Sequence, residues 1–257
     1  MDLITELPLS VILLAGTVML FAGFVHGTLG LGFPMVATPL LALFLDVRTA
    51  ILITLLPTAV VNVASILKGG EWRESTRDYW PLALWSVAGG VVGAAVIASN
   101  DPAPFQLLLA LLIFLFLGSH AVGAGGLPWL SGDARVVMPI VGLVGGFAAG
   151  TTNVMVPILI IYSLSLSLSK NTTVQVFNLC FLAGKLAQMA VFGWNGLISI
   201  GFILSTVPFA LLGYGALIWG VKIRDRMPTE TFRKIIRLVL LLLGMLLVWQ
   251  FFSDWLG

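Results

Sequence analysis

Charge is scarce in this sequence. Asp, Glu, Lys and Arg together make up 9% of its 257 residues, whereas hydrophobic residues make up 59% and the mean hydropathy is +1.09. A soluble globular domain carries about 25% charged residues, so the composition excludes that class. Apolar runs repeatedly reach the roughly 20 residues that span a bilayer as a helix. The sequence therefore predicts an all-α polytopic membrane protein in contact with the lipid bilayer.

Acidic residues are missing from the predicted spans. Asp46, Asp101 and Asp133 fall at predicted loops, and no Glu lies inside a span. An intramembrane enzyme would need a nucleophile with a base, or paired carboxylates, at depth in the membrane. We therefore predict that the protein is not an enzyme, and we keep an intramembrane enzyme only as the alternative from another functional class.

Cysteine and histidine are also few. The single cysteine, Cys180, cannot form an internal disulfide, and together with His26 and His120 it shows no metal-ligand spacing. We predict no bound metal and no cofactor. We also expect no nucleic-acid partner, and the sequence leaves a homodimer open. Because no Lys or Arg precedes the first apolar segment, we expect no removable signal peptide.

What the chain does contain is ten apolar segments in two sets of five, read with windows of about 19 residues. The second member of each set is only about 20 Å long as a helix, which does not cover a hydrocarbon core of about 30 Å. Both are predicted half-helices, so about 8 to 10 segments cross the membrane. The segments are 8–27, 33–45, 48–67, 80–99, 104–123, 136–149, 154–168, 171–192, 197–221 and 234–253.

Lys and Arg are distributed unevenly between the loops. With the N-terminus outside and ten crossings, eleven of them fall in inside loops, only Arg48 falls outside, and Lys185 lies within a span. Five crossings per half is an odd number, so the second half starts from the opposite side of the membrane. We predict two inverted repeats, 1–123 and 136–257, joined by a linker at 124–135 and forming one membrane domain.

Two corresponding stretches interrupt the apolar pattern with glycine and proline, namely GFVHGTLGLGFPMVATPLL at 23–41 and GLVGGFAAGTTNVMVPIL at 142–159. Every backbone N–H and C=O in lipid must be satisfied, so such runs must face protein or a water-filled cavity. Interrupted helices in corresponding places of two halves are typical of a transport site. The alignment pairs Gly27 with Gly145, Gly32 with Gly150, and Pro39 with Pro157.

A helix that begins after such a break presents free N–H groups and the positive end of its dipole. Two of these N-termini facing each other would form a cage for an anion. The alternative is that the glycines only allow tight helix packing. We predict that residues of both breaks bind substrate. They are Gly30, Gly32 and Pro34 in the first half, and Gly150, Thr151, Thr152 and Asn153 in the second.

Thr151, Thr152 and Asn153 would offer hydroxyl and amide donors to the oxygens of an oxyanion. As an alternative, Thr151 or Thr152 caps a half-helix that begins near Val154.

Lys185 is the only charged residue deep in a predicted span, where a cation is costly unless it faces a cavity or a partner. It shares one helical face with Gln175 and Asn178, which Gln188 extends. This face is predicted to line the path and to help neutralise an anion. The alternative is that Lys185 extends to the membrane interface.

Two further polar residues lie near the first break. Asn62 is loosely analogous to Asn178, and it either hydrogen-bonds the break or the ligand, or holds two helices together. Histidine is the side chain whose ordinary pKa lies near neutrality, so His26 is a candidate for proton coupling. A packing role is the safer interpretation for His26, and also for His120.

These motifs resemble the sulfite exporter TauE/SafE family of membrane permeases over nearly the whole chain. The resemblance is carried by GLGFPMVATPLL at 30–41, LSK at 168–170 and NLCFLAG at 178–184. It implies a transporter of small sulfur-containing or organic anions such as sulfite, sulfonates or sulfoacetate, for which we expect export and keep uptake as the alternative. It also implies the bacterial inner membrane, where the distribution of Lys and Arg given above predicts both termini in the periplasm. Many relatives carry a GG-P-P type of break where this chain has TTNVMVP at 151–157.

The predicted mechanism is alternating access around an anion site at the membrane midplane, with inverted repeats on either side. A channel for another small solute is the alternative within transport. It would need a continuous pore, and two unlike breaks in a single chain give no symmetrical filter.

Overall fold

A computed structural model describes residues 7–69, 72–119, 127–224 and 229–256, and the regular structure in these residues is helical. A short 3-10 turn at Pro128–Ser131 precedes the second half. The α-helices are α1 (Leu9–Leu29), α2 (Phe33–Ala42), α3 (Val47–Lys68), α4 (Trp72–Ser99), α5 (Ala103–Gly118), α6 (Ala134–Thr152), α7 (Val156–Ser165), α8 (Lys170–Trp194), α9 (Ile200–Ser205), α10 (Val207–Ile223) and α11 (Thr229–Leu256).

Seven stretches of these helices are long and apolar enough to cross a membrane, with α9 and α10 forming one of them. Large apolar side chains such as Leu111, 61% exposed, and Leu238, 57% exposed, point outward as lipid-facing residues do. The prediction of an all-α polytopic membrane protein is confirmed. His120 and part of the predicted linker at 124–135 lie outside the described residues.

The two predicted half-helices are present. α2 and α7 have 10 residues each, which is about 15 Å of helix and half of a hydrocarbon core of about 30 Å. The 16-residue helix α5 is also shorter than the seven spans.

One boundary differs clearly from its prediction. α4 begins at Trp72, eight residues before the predicted segment. Its first turns carry Glu74 and the exposed ion pair between Arg77 and Asp78, whose atoms lie 2.8 Å apart. Hydropathy detects only the part of a helix that lies in lipid, so a charged helical end in water is read as a loop.

Two pairs of helices, α2 with α7 and α3 with α8, begin 123 residues apart in the sequence. Asp46 caps α3 by accepting from Thr49 N–H at 3.0 Å, and Ser169, 123 residues later, caps α8 by accepting from Thr172 N–H at 3.1 Å. Short oxygen-bearing side chains are favoured at this position because they satisfy an otherwise free helix N–H.

The same spacing corrects the alignment of the two breaks. Pro34 is the second residue of α2, and Pro157, 123 residues later, is the second residue of α7. Pro39 lies inside α2, so pairing it with Pro157 was wrong. The spacing also places Lys185, rather than Asn178, in the position that corresponds to Asn62.

The halves are interlocked by close helix crossings. α6 packs against α4 and α1 packs against α10, so a helix of each half contacts a helix of the other. A Cβ atom on Gly150 would lie 2.6 Å from the Gly90 carbonyl oxygen and 2.9 Å from the Cα of Gly93. Gly150 therefore lies within α6, before the break, and permits tight packing there. The sequence predicted Gly150 as a substrate-binding residue of the break, with tight helix packing as the alternative.

We expect Gly150→Ala to lower the free energy of unfolding by about 1–3 kcal/mol, because the added methyl group overpacks the crossing with α4. Thermal melting of the detergent-purified protein measures the loss. Gly215→Ala is the matched control, since Gly215 lies on α10 with nothing within 4 Å of its Cβ position. Equal melting temperatures for both variants would contradict the packing role of Gly150.

Candidate functional site

The first break separates α1 from α2 through two glycines in the left-handed region. Gly30 has φ 83° and Gly32 has φ 102°, conformations that cost side-chain-bearing residues energy but cost glycine little. The N–H of Gly30 donates to the His26 carbonyl at 2.7 Å and closes α1. Pro34 follows at the second position of α2, where its missing N–H removes no intrahelical bond.

His26 holds this break together. Its Nδ1 accepts from the N–H of Phe33, the first residue of α2, at 3.2 Å. Nδ1 is then unprotonated, so Nε2 carries the proton and donates to Ser65 Oγ at 2.9 Å. The Ser65 hydroxyl donates in turn to the Val61 carbonyl at 2.9 Å. A proton added to Nδ1 would break the bond to Phe33, so this geometry favours the packing role of His26 over proton coupling.

The second break begins after Thr152. Asn153 has φ 65°, a left-handed conformation that asparagine tolerates better than most residues. The Thr152 hydroxyl accepts from Val154 N–H at 3.2 Å and donates to the Ala148 carbonyl at 2.8 Å. The Thr151 hydroxyl donates to the Phe147 carbonyl at 2.9 Å. Both hydroxyls hydrogen-bond backbone groups of nearby residues. This resembles the alternative in which Thr151 or Thr152 caps the half-helix, although α7 begins two residues after Val154.

The Asn153 side chain connects the second break to three other helices. Its Nδ2 donates to Thr38 Oγ1 of α2 at 3.0 Å and to Thr54 Oγ1 of α3 at 2.8 Å. Its Oδ1 accepts from Nζ of Lys185 on α8. All four side chains are buried. The sequence pointed to Asn153 and Lys185 but missed Thr38, because a threonine inside an apolar helix carries no distinguishing signal.

Lys185 lies inside the protein with 4% of its surface exposed, so it does not extend to the membrane interface. Besides Asn153, it donates to Gln188 Oε1 one turn further along α8. Its hydrogen-bond partners within the described residues are neutral amide oxygens, and no carboxylate pairs with it there.

The predicted polar face of α8 is buried and contacts both breaks. Asn178 Nδ2 donates to the Gly30 carbonyl of the first break at 3.4 Å, and Lys185 reaches the second break. These two residues are seven positions apart, which is about 10 Å along the helix. The breaks therefore share one face of α8 at two different levels.

A polar cavity of about 350 Å³ ends at the first break. Lys68, Lys170 and Arg224 line it and are exposed, whereas the lining residues His26 and Gln175 are buried. None of the described residues that line this cavity is acidic, so their charges attract anions. The described residues that line it are His26, Gly27, Leu29, Gly30, Ser65, Lys68, Gly69, Lys170, Asn171, Val174, Gln175, Leu217, Val221 and Arg224.

The cavity brings together only part of the predicted site. Gly30 and Gln175 line it, but the second break does not, and the N-terminus of α2 is capped by His26. The expectation that both helix N-termini meet in one cage is therefore not met in this conformation. The cations of this cavity were not predicted as site residues from the sequence. A signal was available for Lys68, because Asn62, Ser65 and Lys68 follow one another at a spacing of three residues on the same helix.

Asn62 and Thr58 lie buried one turn apart on α3. Both side-chain polar atoms of Asn62 and the hydroxyl oxygen of Thr58 have no hydrogen-bond partner within the described residues, and Oδ1 of Asn178 has none either. Unpaired buried polar atoms are costly and call for a water or a ligand. This observation favours the ligand interpretation of Asn62 over an amide that holds two helices together.

The described residues contain no group of three His, Cys, Asp or Glu side chains placed to hold a metal ion. In a comparison with known proteins, a family model described as sulfite exporter TauE/SafE matches residues 15–247 of the chain. Among the curated proteins and the solved structures, nothing matches the chain.

We expect Asn62→Leu to leave the melting temperature unchanged or to raise it, because replacing unpaired buried polar atoms by apolar atoms of similar volume removes a desolvation cost. The same variant should lose anion transport in proteoliposomes. An amide that holds two helices together would instead cost about 1–3 kcal/mol of stability when it is replaced, and a drop of that size would contradict the ligand interpretation.

Proposed function

Since the chain belongs to the sulfite exporter TauE/SafE family, we propose that it is a secondary transporter that exports small sulfur-containing or organic anions. Sulfite, sulfonates and sulfoacetate are the substrates that the family resemblance suggests. The protein is a multi-pass membrane protein, and we place it in the bacterial inner membrane with both termini in the periplasm.

The basic cavity is the observation that carries this proposal. Lys68, Lys170 and Arg224 come from three different helices or their ends and converge on one space, and the lining that the described part of the chain provides holds no acidic residue. A cleft lined by one sign of charge raises the local concentration of the oppositely charged solute. Because the same three residues fall on the inside in the positive-inside assignment, the cavity would collect anions from the cytoplasm.

Beyond the cavity, polar groups on α3 and α8 suggest a path. These two helices pack against each other. Within the described residues, buried side-chain polar atoms without a hydrogen-bond partner belong to Thr58 and Asn62 on α3 and to Asn178 on α8. Hydroxyl and amide hydrogens suit the oxygens of an oxyanion. We propose that the anion moves between α3 and α8 from the first break toward Lys185.

Alternating access fits this arrangement better than an open pore does. The cavity ends at the buried side chains of His26 and Gln175, while Asn153 and Lys185 close the second break. In the proposed cycle, this conformation is open toward the cytoplasm. The opposite conformation would open the second break and close the first, as broken helices of inverted repeats do.

Flux measurements test the function directly. Reconstituted protein is offered sulfite, sulfate, thiosulfate, short alkanesulfonates and carboxylates, and we expect saturable transport of at least one of them. The same anion should raise the melting temperature, by an amount equivalent to about 2.7 kcal/mol at a concentration 100 times its Kd. If no anion is carried and none stabilises the protein, the proposed function is wrong.

Charge variants assign the flux to the cavity. In the double variant Lys68→Gln with Arg224→Gln, we expect KM from the cavity side to rise several-fold at low ionic strength and to converge on the wild-type value at high salt. Lys222→Gln is the matched control, since Lys222 is exposed on the same helix end but does not line the cavity. Equal effects of both changes would remove the cavity from the path.

A further inference from the structure

We propose that Lys185 takes up a proton each time an anion binds beside it, so that the transporter moves anion and proton together. This inference rests on the proposed function and names the coupling ion of the same site. It follows from the number of hydrogen-bond donors that the surroundings of Lys185 can accept.

Asn153 presents a fixed oxygen to Lys185. Its amide nitrogen donates to Thr38 Oγ1 at 3.0 Å and to Thr54 Oγ1 at 2.8 Å, and the Thr54 hydroxyl hydrogen is used on the backbone of its own helix at 2.9 Å. Thr54 can therefore only accept from Asn153. Rotating the amide would set two acceptors against each other, so Oδ1 faces Lys185.

Gln188 is fixed in the same way. Its amide nitrogen donates to the carbonyl oxygens of Ala149 at 3.0 Å and Gly150 at 2.8 Å, which cannot donate in return. Oε1 therefore faces Lys185. The amine group meets two oriented acceptors, one from the second break and one from α8.

Two acceptors suit a neutral amine, which has two N–H donors. An ammonium group has three and no acceptor of its own, and Lys185 forms no third hydrogen bond within the described residues. An oxygen of a bound anion would supply the third acceptor. The empty site is thus complete with neutral Lys185, and the loaded site is complete with charged Lys185.

No other charge in the described surroundings competes for this role. The helices packed against α8 are chiefly α3, α4, α6 and α7, and His26 of α1 is bound to Phe33 and Ser65. None of their titratable groups pairs with Lys185. These groups are Arg48 and Lys68 of α3, Arg73, Glu74, Arg77, Asp78 and Tyr79 of α4, Arg135 of α6 and Tyr162 of α7, with Lys170 and Cys180 on α8 itself.

A cation without a partner is costly inside a membrane protein, and an adjacent anion removes most of that cost. In the proposed step, the neutral amine, one proton and one anion combine into an ammonium–anion pair. After the opposite side opens, the anion and the proton leave together and the neutral amine is restored. For a monovalent anion, no net charge crosses the membrane.

The test uses wild-type protein in proteoliposomes with a pH dye inside and the membrane potential clamped by potassium and valinomycin. Methanesulfonate is the probe because it remains a monovalent anion across the working pH range. We expect one proton to move with each methanesulfonate and the rate to be independent of the clamped potential. Methanesulfonate flux that follows the potential without a pH change would overturn the coupling and leave the transport function intact.

If methanesulfonate is not carried, the assay is repeated with the monovalent anion that the flux panel identifies. Absence of flux for every anion in that panel would overturn the proposed function, and the coupling with it.

Two variants separate charge from shape. Lys185→Arg keeps a permanent positive charge. We therefore expect that the anion is still transported but no proton moves with it, and that the transport rate depends on the clamped potential. Lys185→Gln should lower the flux about tenfold or more, since a charge-assisted hydrogen bond to the anion is lost. Lys222→Gln should keep wild-type coupling. Proton movement that persists in Lys185→Arg would place the coupling group elsewhere, whether or not Lys185→Gln folds.

Discussion

The rest of this structure depends on one constraint, which is that broken helices inside a bilayer must have their free backbone groups satisfied by protein. The first break uses His26 for the N–H of Phe33 and Asn178 for the carbonyl of Gly30. The second uses the Thr152 hydroxyl for the N–H of Val154. Polar side chains that would be costly elsewhere in lipid are therefore concentrated around the two breaks, and several of them lie on one face of α8.

The cations of this region fall into two groups that differ in solvation. Lys68, Lys170 and Arg224 are exposed at the cavity, where screening limits each interaction but their sum attracts anions over several ångströms. Lys185 is enclosed among amide groups, where a single charge is worth far more and can be present only with a counter-charge. In the proposed cycle, the three exposed cations raise the local concentration of the substrate anion, and Lys185 binds one anion at a time.

Much of this arrangement could be predicted from residue patterns. Run length identified the two half-helices, and the helical period placed Gln175, Asn178 and Lys185 on one buried face. Contacts between different helices could not be predicted in the same way. The spacing of glycines also does not show which of them adopts a left-handed conformation. Gly150 therefore looked like part of the break, although its role is set by the approach of α4. The contact between Asn153 and Thr38 spans 115 residues and leaves no local signal.

The most direct test of the account is access to each break from each side of the membrane. In a Cys180→Ala background, single cysteines replace Gln175 in the cavity and Val154 in the second break, and a membrane-impermeant maleimide is applied to oriented vesicles. Alternating access predicts that the cysteine at 175 reacts from the cytoplasmic side, and that the cysteine at 154 reacts only from the opposite side and only during anion turnover. Simultaneous reaction of both cysteines from the same side would contradict alternating access at these breaks.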